Sequence, residues 1–367
     1  MTGLCCATHS HMTISAYFRT AAAAGVFLSS AANAAPIVFQ DMLGNPVSLS
    51  APAQRAVTLP MPAGSLLISL DGGAQRLAGM HPSAHGLMKD GLLARIFPAT
   101  AQVRTDITRS GFVPNVETLL QIQPDLVWQW GHMGDDLIAP LRNAGLPTAA
   151  LVYGTEDRTR VWIRLMGQSL GQEARAQSQL RWRDQVRADI RVVTDGIPAA
   201  KRPGVLYLSR YAPQLRAAGG NTSFEDDITL AGGRNVSAAI ASGQTVNIEQ
   251  IMAWAPEVIL LNNFESGLTP ETLYGDPLFA DIPAVRDRRV YKVPMGGYLW
   301  DPPSQESPLY WQWLSMLLHP EKFSWPLRDN IARAYGELYG YQPAAGEVDA
   351  VLRLKMNEGA AGYERFR

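Results

Sequence analysis

Apolar positions along this chain fall into two alternating kinds of run. One kind is short and continuous: Ala56-Val57-Thr58-Leu59, Leu126-Val127-Trp128, Val205-Leu206-Tyr207-Leu208 and Val258-Ile259-Leu260-Leu261. Such runs predict strands buried on both faces, as in a parallel sheet. Thr148–Tyr153 and Arg289–Val293 add one further strand to each half. The other kind recurs at helical spacing: Leu119 and Leu120 after Val116, and Ile251 and Met252 after Ile248, each read as one buried stripe. Leu70-Asp71-Gly72-Gly73 and Leu230-Ala231-Gly232-Gly233 read as helix ends closed by glycine. Strand and helix thus alternate in both halves, the pattern of a parallel sheet covered by helices.

The two halves also share a phrase. NVETLLQIQPDLVWQW, residues 115–130, recurs as NIEQIMAWAPEVILLN, residues 247–262. Asn115 and Asn247 suit helix N-caps, where the side-chain oxygen accepts an otherwise orphaned N–H. Glu117 and Glu249 fall in the first turn, which favours negative charge, and Pro124 and Pro256 end each helix. The phrase is therefore a capped helix feeding a core strand, used once per lobe. Between the copies, Gln172 to about Thr194 contains neither Pro nor Gly, with apolar Ala176, Leu180, Val186, Ile190 and Val193. At 1.5 Å per residue it predicts a helix of ~34 Å, enough to span two lobes as a stiff rod. The fold class expected is α/β: two lobes, each with a parallel-rich sheet flanked by helices, joined by one long rigid helix, with a ligand cleft between them. The divisions expected are a signal peptide at 1–34, an N-terminal lobe at 35–155, a helical connector at 156–197, and a C-terminal lobe with closing helices at 198–367.

A chain of 367 residues is long enough for two cores. Its 32 basic and 33 acidic residues argue against a phosphate-binding surface, so nucleic acid is not an expected partner. From Met12, a possible true start, one Arg19 precedes an Ala-rich run and the A-x-A site Ala32-Asn33-Ala34, the grammar of a signal peptide cut before Ala35. Cys5 and Cys6 lie ahead of that site, so the exported chain would carry no thiol into an oxidising compartment. The expected location is the periplasm.

These pieces, in this order, resemble the helix-linked periplasmic substrate-binding proteins of ABC importers that deliver iron–siderophore complexes, haem or cobalamin. Carrying the resemblance are Phe39-Gln40-Asp41-Met42-Leu43-Gly44 with Pro52 and Arg55, the two Asn-x-Glu units, the connector, and the closing blocks DPLFADIPAVRDRRVYKVP (276–294) and SPLYWQWLSMLLHPEKF (307–323). The resemblance implies that Glu117 and Glu249, in the matching slots, pair with arginines of a two-fold permease served by an ATPase at the inner membrane. It further implies a monomeric receptor that is no enzyme, needs no cofactor, and carries a metal chelate, foremost an iron–siderophore. Modest lobe closure is expected, because a rod limits opening.

Ligands of open α/β lobes sit beyond the carboxyl ends of the strands. That rule nominates Trp130, His132 and Tyr153 in the first lobe and Arg210, Tyr211, Asn263, Tyr298 and Trp300 in the second. Aromatics would supply contact area and Arg210 would counter ligand charge. Trp128, inside a strand, reads as core, and His319 as structural. Cobalamin and haem remain open in the same role. So does a bare metal ion, for which His81, His85, His132 and Asp135 are candidates, and so does a small oxyanion such as molybdate. No phosphate-binding glycine loop and no activated nucleophile motif is present. Asp301 and Glu306, read as solvated loop acids, are the sole basis for an exported hydrolase.

Overall fold

The strand runs pair as their apolar patterns require. The structure is a computed structural model that describes residues 36–241 and 243–367. The expected signal peptide, its cleavage point and the cysteines lie outside these residues. A hairpin, β1 (Ile37–Gln40) and β2 (Pro46–Leu49), opens the chain. There follow β3 (Ala56–Thr58), α1 (Ala63–Asp71), β4 (Leu77–Met80), α2 (Pro82–Asp90), α3 (Leu93–Ile96), α4 (Val116–Ile122), β5 (Leu126–Trp130), α5 (Ala139–Asn143) and β6 (Thr148–Leu151). The first sheet is parallel, in the order β4-β3-β5-β6.

Two helices then run back to back, α6 (Glu156–Leu170) and α7 (Glu173–Thr194). The second sheet is built from β7 (Gly204–Arg210), β8 (Arg216–Ala217), β9 (Arg234–Asn235), β10 (Gln244–Thr245), β11 (Val258–Leu261) and β12 (Val290–Lys292). Its centre β7-β11-β12 is parallel, β9 joins β7 in parallel, and β8 and β10 form an antiparallel edge that the sequence pattern did not announce. Around it lie α8 (Ser223–Leu230), α9 (Ile248–Trp254), α10 (Pro270–Tyr274) and α11 (Pro283–Arg286). The chain closes with α12 (Ser307–Leu318), α13 (Leu327–Tyr339) and α14 (Ala345–Val351).

Strand alternation divides the interior. Val57 and Val127 face an outer core with Leu119 and Ile122 of α4. In the second sheet Leu206, Leu208, Ile259 and Leu261 face an equivalent outer core with Ile251 of α9. The opposite faces, Leu126, Trp128, Tyr207 and Leu260 among them, join one continuous core with α1, α6, α7, α12 and α13. Helix α12 is buried at every position, as a helix apolar all round must be. It packs on α7, while α13 packs on α1 of the first lobe. The lobes therefore share a core rather than meeting across a flexible strand.

The repeated phrase folds twice in the same way. Asn115 accepts from Thr118 N–H, and Asn247 accepts from Gln250 N–H at 2.8 Å within a full capping box. Both helices end on a left-handed residue just before the proline, Gln123 (φ 51°) and Ala255 (φ 45°). The stripe expectation fails in one respect: Leu120 and Met252 are 49% and 44% exposed. Consecutive positions lie about 100° apart around a helix, so Leu119 and Ile251 take the inward place and their neighbours face out.

Helix α7 buries Ala176, Leu180, Val186 and Ile190 as its spacing predicts, and also Gln179 and Arg183. Arg183, only 1% exposed, donates through Nε to Glu156 Oε1 (2.8 Å), through Nη2 to the other Glu156 oxygen, and through Nη1 to the Ser304 carbonyl (2.7 Å). Its guanidinium also lies 4.9 Å from the Trp311 ring centre. One side chain thus ties α6, α7, α12 and the loop before α12.

Candidate functional site

The parallel strands of both sheets end at a common region. Tyr153, two residues past β6, is half-buried, and its hydroxyl lies 3.5 Å from Ser223 Oγ in the first turn of α8. That contact joins the first lobe to the second. Burial pushes the Tyr153 phenol up to about 12, so it stays a neutral donor. Trp130 closes β5 and meets Tyr153 edge to face at 6.0 Å, His132 at 5.1 Å and Phe112 at 5.8 Å. Partial burial, then the neighbouring Arg158, pushes the His132 imidazole down, and its Nδ1 accepts from the Tyr153 backbone N–H at 3.4 Å. Trp130, His132 and Tyr153 therefore form one aromatic wall. Beside it a cavity of about 10 Å³ opens between Pro62, Tyr153, Gly154, Trp162 and Pro303, room for about one water.

The second-lobe nominations divide differently. Trp300 is fully buried, and its Nε1 donates to Glu306 at 2.7 Å. Tyr298 and Asn263 are buried too. Asn263 Nδ2 donates to the Val293 and Pro294 carbonyls at 3.0 and 3.1 Å, and its backbone N–H donates to Asp301 at 2.9 Å. These three residues form the floor beneath the strand ends instead of an open loop surface. The cause is Glu306, expected in solvent but fully buried, which collects N–H and O–H donors from Gly297, Trp300, Tyr335 and Tyr339. Arg210 stacks its guanidinium 5.1 Å from the Phe264 ring. Tyr211 donates its hydroxyl to Asp276 at 2.9 Å and packs with the second sheet's outer core. Arg210 and Tyr211 are thus already engaged outside the aromatic wall.

Two further carboxylates border the wall, Asp301, expected in solvent, and Asp227, which the sequence did not single out. Asp301 is fully buried, accepting from the Tyr207 hydroxyl at 2.7 Å and from Asn263 N–H, with Lys292 and Arg353 close enough to feel its charge. Its Asp-Pro-Pro setting reads as a surface turn. Asp227 hides within three consecutive acids of α8, accepts from Trp311 Nε1 at 2.5 Å, and is pushed up to about 7, chiefly by burial, with Glu156 adding to the rise. Both carboxylates lie near the Tyr153 phenol.

Several polar atoms here lack partners. Trp130 Nε1, Asn263 Oδ1 and the Tyr298 hydroxyl are buried without a hydrogen bond. Trp130 ends β5, Asn263 follows β11 closely, and Tyr298 lies in the segment after β12. A buried unpaired polar group costs about 1–3 kcal/mol, which makes these atoms natural partners for a ligand. Burial, with Asp301 and Tyr153 nearby, raises the Tyr298 phenol far above its ordinary value.

The bare-ion candidates are otherwise employed. His81 caps α2, accepting from Ser83 N–H, and its Nε2 bonds the Gly111 carbonyl at 3.0 Å. His85 bonds the Thr100 carbonyl at 3.1 Å. Among the described residues no three His, Cys, Asp or Glu side chains converge as a metal ion requires. His319 is buried against the Gly232 carbonyl, a structural place.

Glu117 and Glu249 are both exposed, and among the described residues neither makes an ion pair. Each opens a short helix that turns tightly into a parallel strand, α4 into β5 and α9 into β11. Each helix start therefore lies at the carboxyl edge of its sheet, the edge that borders the strand ends.

Known proteins share this arrangement. The family described as periplasmic binding protein matches residues 108–295. A periplasmic solute binding protein from Veillonella parvula is similar in fold with a TM-score of 0.80 and 30% identity, covering 88% of this chain and 99% of its own. The molybdate periplasmic binding protein of a Haemophilus influenzae ABC transporter, solved bound to molybdate, has a TM-score of 0.74 and 21% identity over 84% of this chain and 99% of its own. A cobalamin-binding protein of Halobacterium salinarum is 28% identical over 240 residues, 59% of this chain and 62% of that relative's length.

Proposed function

The chain belongs to the periplasmic binding protein family, the solute receptors of ABC transporters, and on that premise we propose that it captures a small oxyanion between its lobes and hands it to an importer. Residues 35–155 and 198–367 act as the two jaws and residues 156–197 as their stiff connection. Exported by cleavage near Ala34-Ala35, the monomer docks through Glu117 and Glu249 on a permease served by an ATPase.

The observation that carries the ligand class is the size of the space. The cavity beside Tyr153 is about 10 Å³ and Tyr153 already meets Ser223, so any ligand needs the jaws to part, and a small oxyanion needs far less parting than a ligand filling the roughly 300–1,000 Å³ of larger organic pockets. A shared core opposes wide opening. An iron–siderophore, first in the sequence reading, fits this space poorly. A small oxyanion instead could take hydrogen bonds from Tyr153, Tyr298, Ser223 and Trp130, whose stocks of donors are wholly or partly unused. Asp227, pushed up to about 7, does not oppose it with a full negative charge at neutral pH. The Haemophilus relative described as bound to molybdate belongs to the same ligand class.

Calorimetric titration of the mature protein decides the matter. Molybdate, tungstate and sulfate would be compared with cobalamin, haem and ferric catecholate and hydroxamate chelates. At least one oxyanion is expected to bind tightly and the chelates weakly. Tight binding of a chelate with no oxyanion bound would restore the larger ligand class.

A further inference from the structure

The exposed faces of α4 and α9 match beyond their glutamates. Leu120 and Met252 occupy the same slot of the repeated phrase, three residues after Glu117 and Glu249. Residues three apart on a helix are surface neighbours, so each lobe shows one acid beside one large apolar side chain. Each apolar residue had an inward alternative that its neighbour took, Leu119 or Ile251. Single exposed apolar residues are ordinary on protein surfaces. Two of them, at equivalent places of a duplicated scaffold and each beside an unpaired acid, are a repeated pattern.

We propose that each docking corner is a two-part unit, Glu117 with Leu120 and Glu249 with Met252, that seats in an apolar recess rimmed by basic side chains, presented once by each half of a two-fold membrane partner. This rests on the importer reading above. An exposed ion pair contributes little affinity but steers and orients encounter. The apolar side chain, buried on docking, supplies residence, as buried anchors do at other interfaces. The division of labour explains why the pair is repeated as a pair: two charges fix the orientation and two anchors hold it.

The test uses the full mature protein and nanodiscs carrying its permease and ATPase, with docking followed by biolayer interferometry, both alone and with molybdate as probe. Leu120→Ser and Met252→Ser should each weaken docking roughly tenfold, and the double variant more than either, mainly through faster dissociation. Thermal unfolding should be unchanged, because both side chains are exposed. Leu120→Met and Met252→Leu should dock like the native protein. Glu117→Gln with Glu249→Gln should lower the association rate and flatten its salt dependence. If the glutamate variant weakens docking and the serine variants dock normally, the two-part corner is overturned while the importer reading stands. If the native protein does not dock at all, both fall.

Discussion

Replacing Arg183 with methionine keeps most of the side-chain volume and removes the charge that links α6, α7 and the loop before α12. Three hydrogen bonds go with it, two to Glu156 and one to the Ser304 carbonyl, as does the stacking on Trp311. Glu156 is then left nearly buried, with Arg160 at 3.9 Å and Arg187 as cationic neighbours. Breaking a buried pair from one side costs about 3–5 kcal/mol, because the abandoned charge is poorly solvated. Replacing Glu156 with methionine in the same chain removes that charge, so Arg183→Met with Glu156→Met should recover at least ~2 kcal/mol relative to the sum of the single changes. Urea unfolding followed by far-ultraviolet circular dichroism reads both quantities, and native and variant proteins should each unfold in one transition because the lobes share a core. A single-variant loss under about 1 kcal/mol, or strictly additive losses, would refute the claim that this pair ties the connector helices to the segment before α12.

Asp227 makes stability depend on pH. Its folded pKa of about 7 lies above the ordinary 3.8, so the folded state holds the proton more tightly, and this group's contribution declines by up to about 4 kcal/mol as pH rises from 4 past 7. Asp227→Asn should therefore gain on the native protein across that range in urea unfolding, and a pH-independent difference would contradict the assignment. Tyr298→Phe removes a buried hydroxyl that has no partner in the protein; stability should rise by about 1–3 kcal/mol while oxyanion affinity drops about tenfold by calorimetry, and unchanged affinity would remove Tyr298 from the site. At Gly296 an added Cβ would stand 1.7 Å from Glu306 Oε2 and 2.5 Å from the Tyr335 hydroxyl. Glu306 is pinned by its donors, so Gly296→Ala should cost about 3 kcal/mol by chemical unfolding, and a neutral outcome would show that the floor can yield.

What was legible in the sequence was what local chemistry decides. Asn115, Asn247 and Gly72 cap helices because their side chain or lack of one suits a helix end, and Trp128 lies in core because a continuous apolar run has no outward face. The double phrase announced two equivalent lobes before any contact was known. Burial decided by distant partners was not legible. A segment holding Gly296, Gly297, Tyr298 and Trp300 looks like a surface loop until Glu306 gathers its donors and turns it inward. Asp301 and Asp227 look like solvated acids for the same reason, since their partners Tyr207 and Trp311 lie far away in sequence. Leu120 and Met252 show the limit of periodicity in short helices, where seven residues leave adjacent apolar positions competing for one inward place.

The packing of α12 on α7 and of α13 on α1 has a consequence for biogenesis. The segment synthesised among the last completes an interior begun by the first helix, so neither half has a finished state of its own. A polypeptide delivered amino end first must keep a wide greasy surface uncovered until residues 307–339 arrive, and during that interval clumping competes with maturation. Truncation ahead of residue 307 should therefore yield an insoluble product, not a stable amino-terminal fragment.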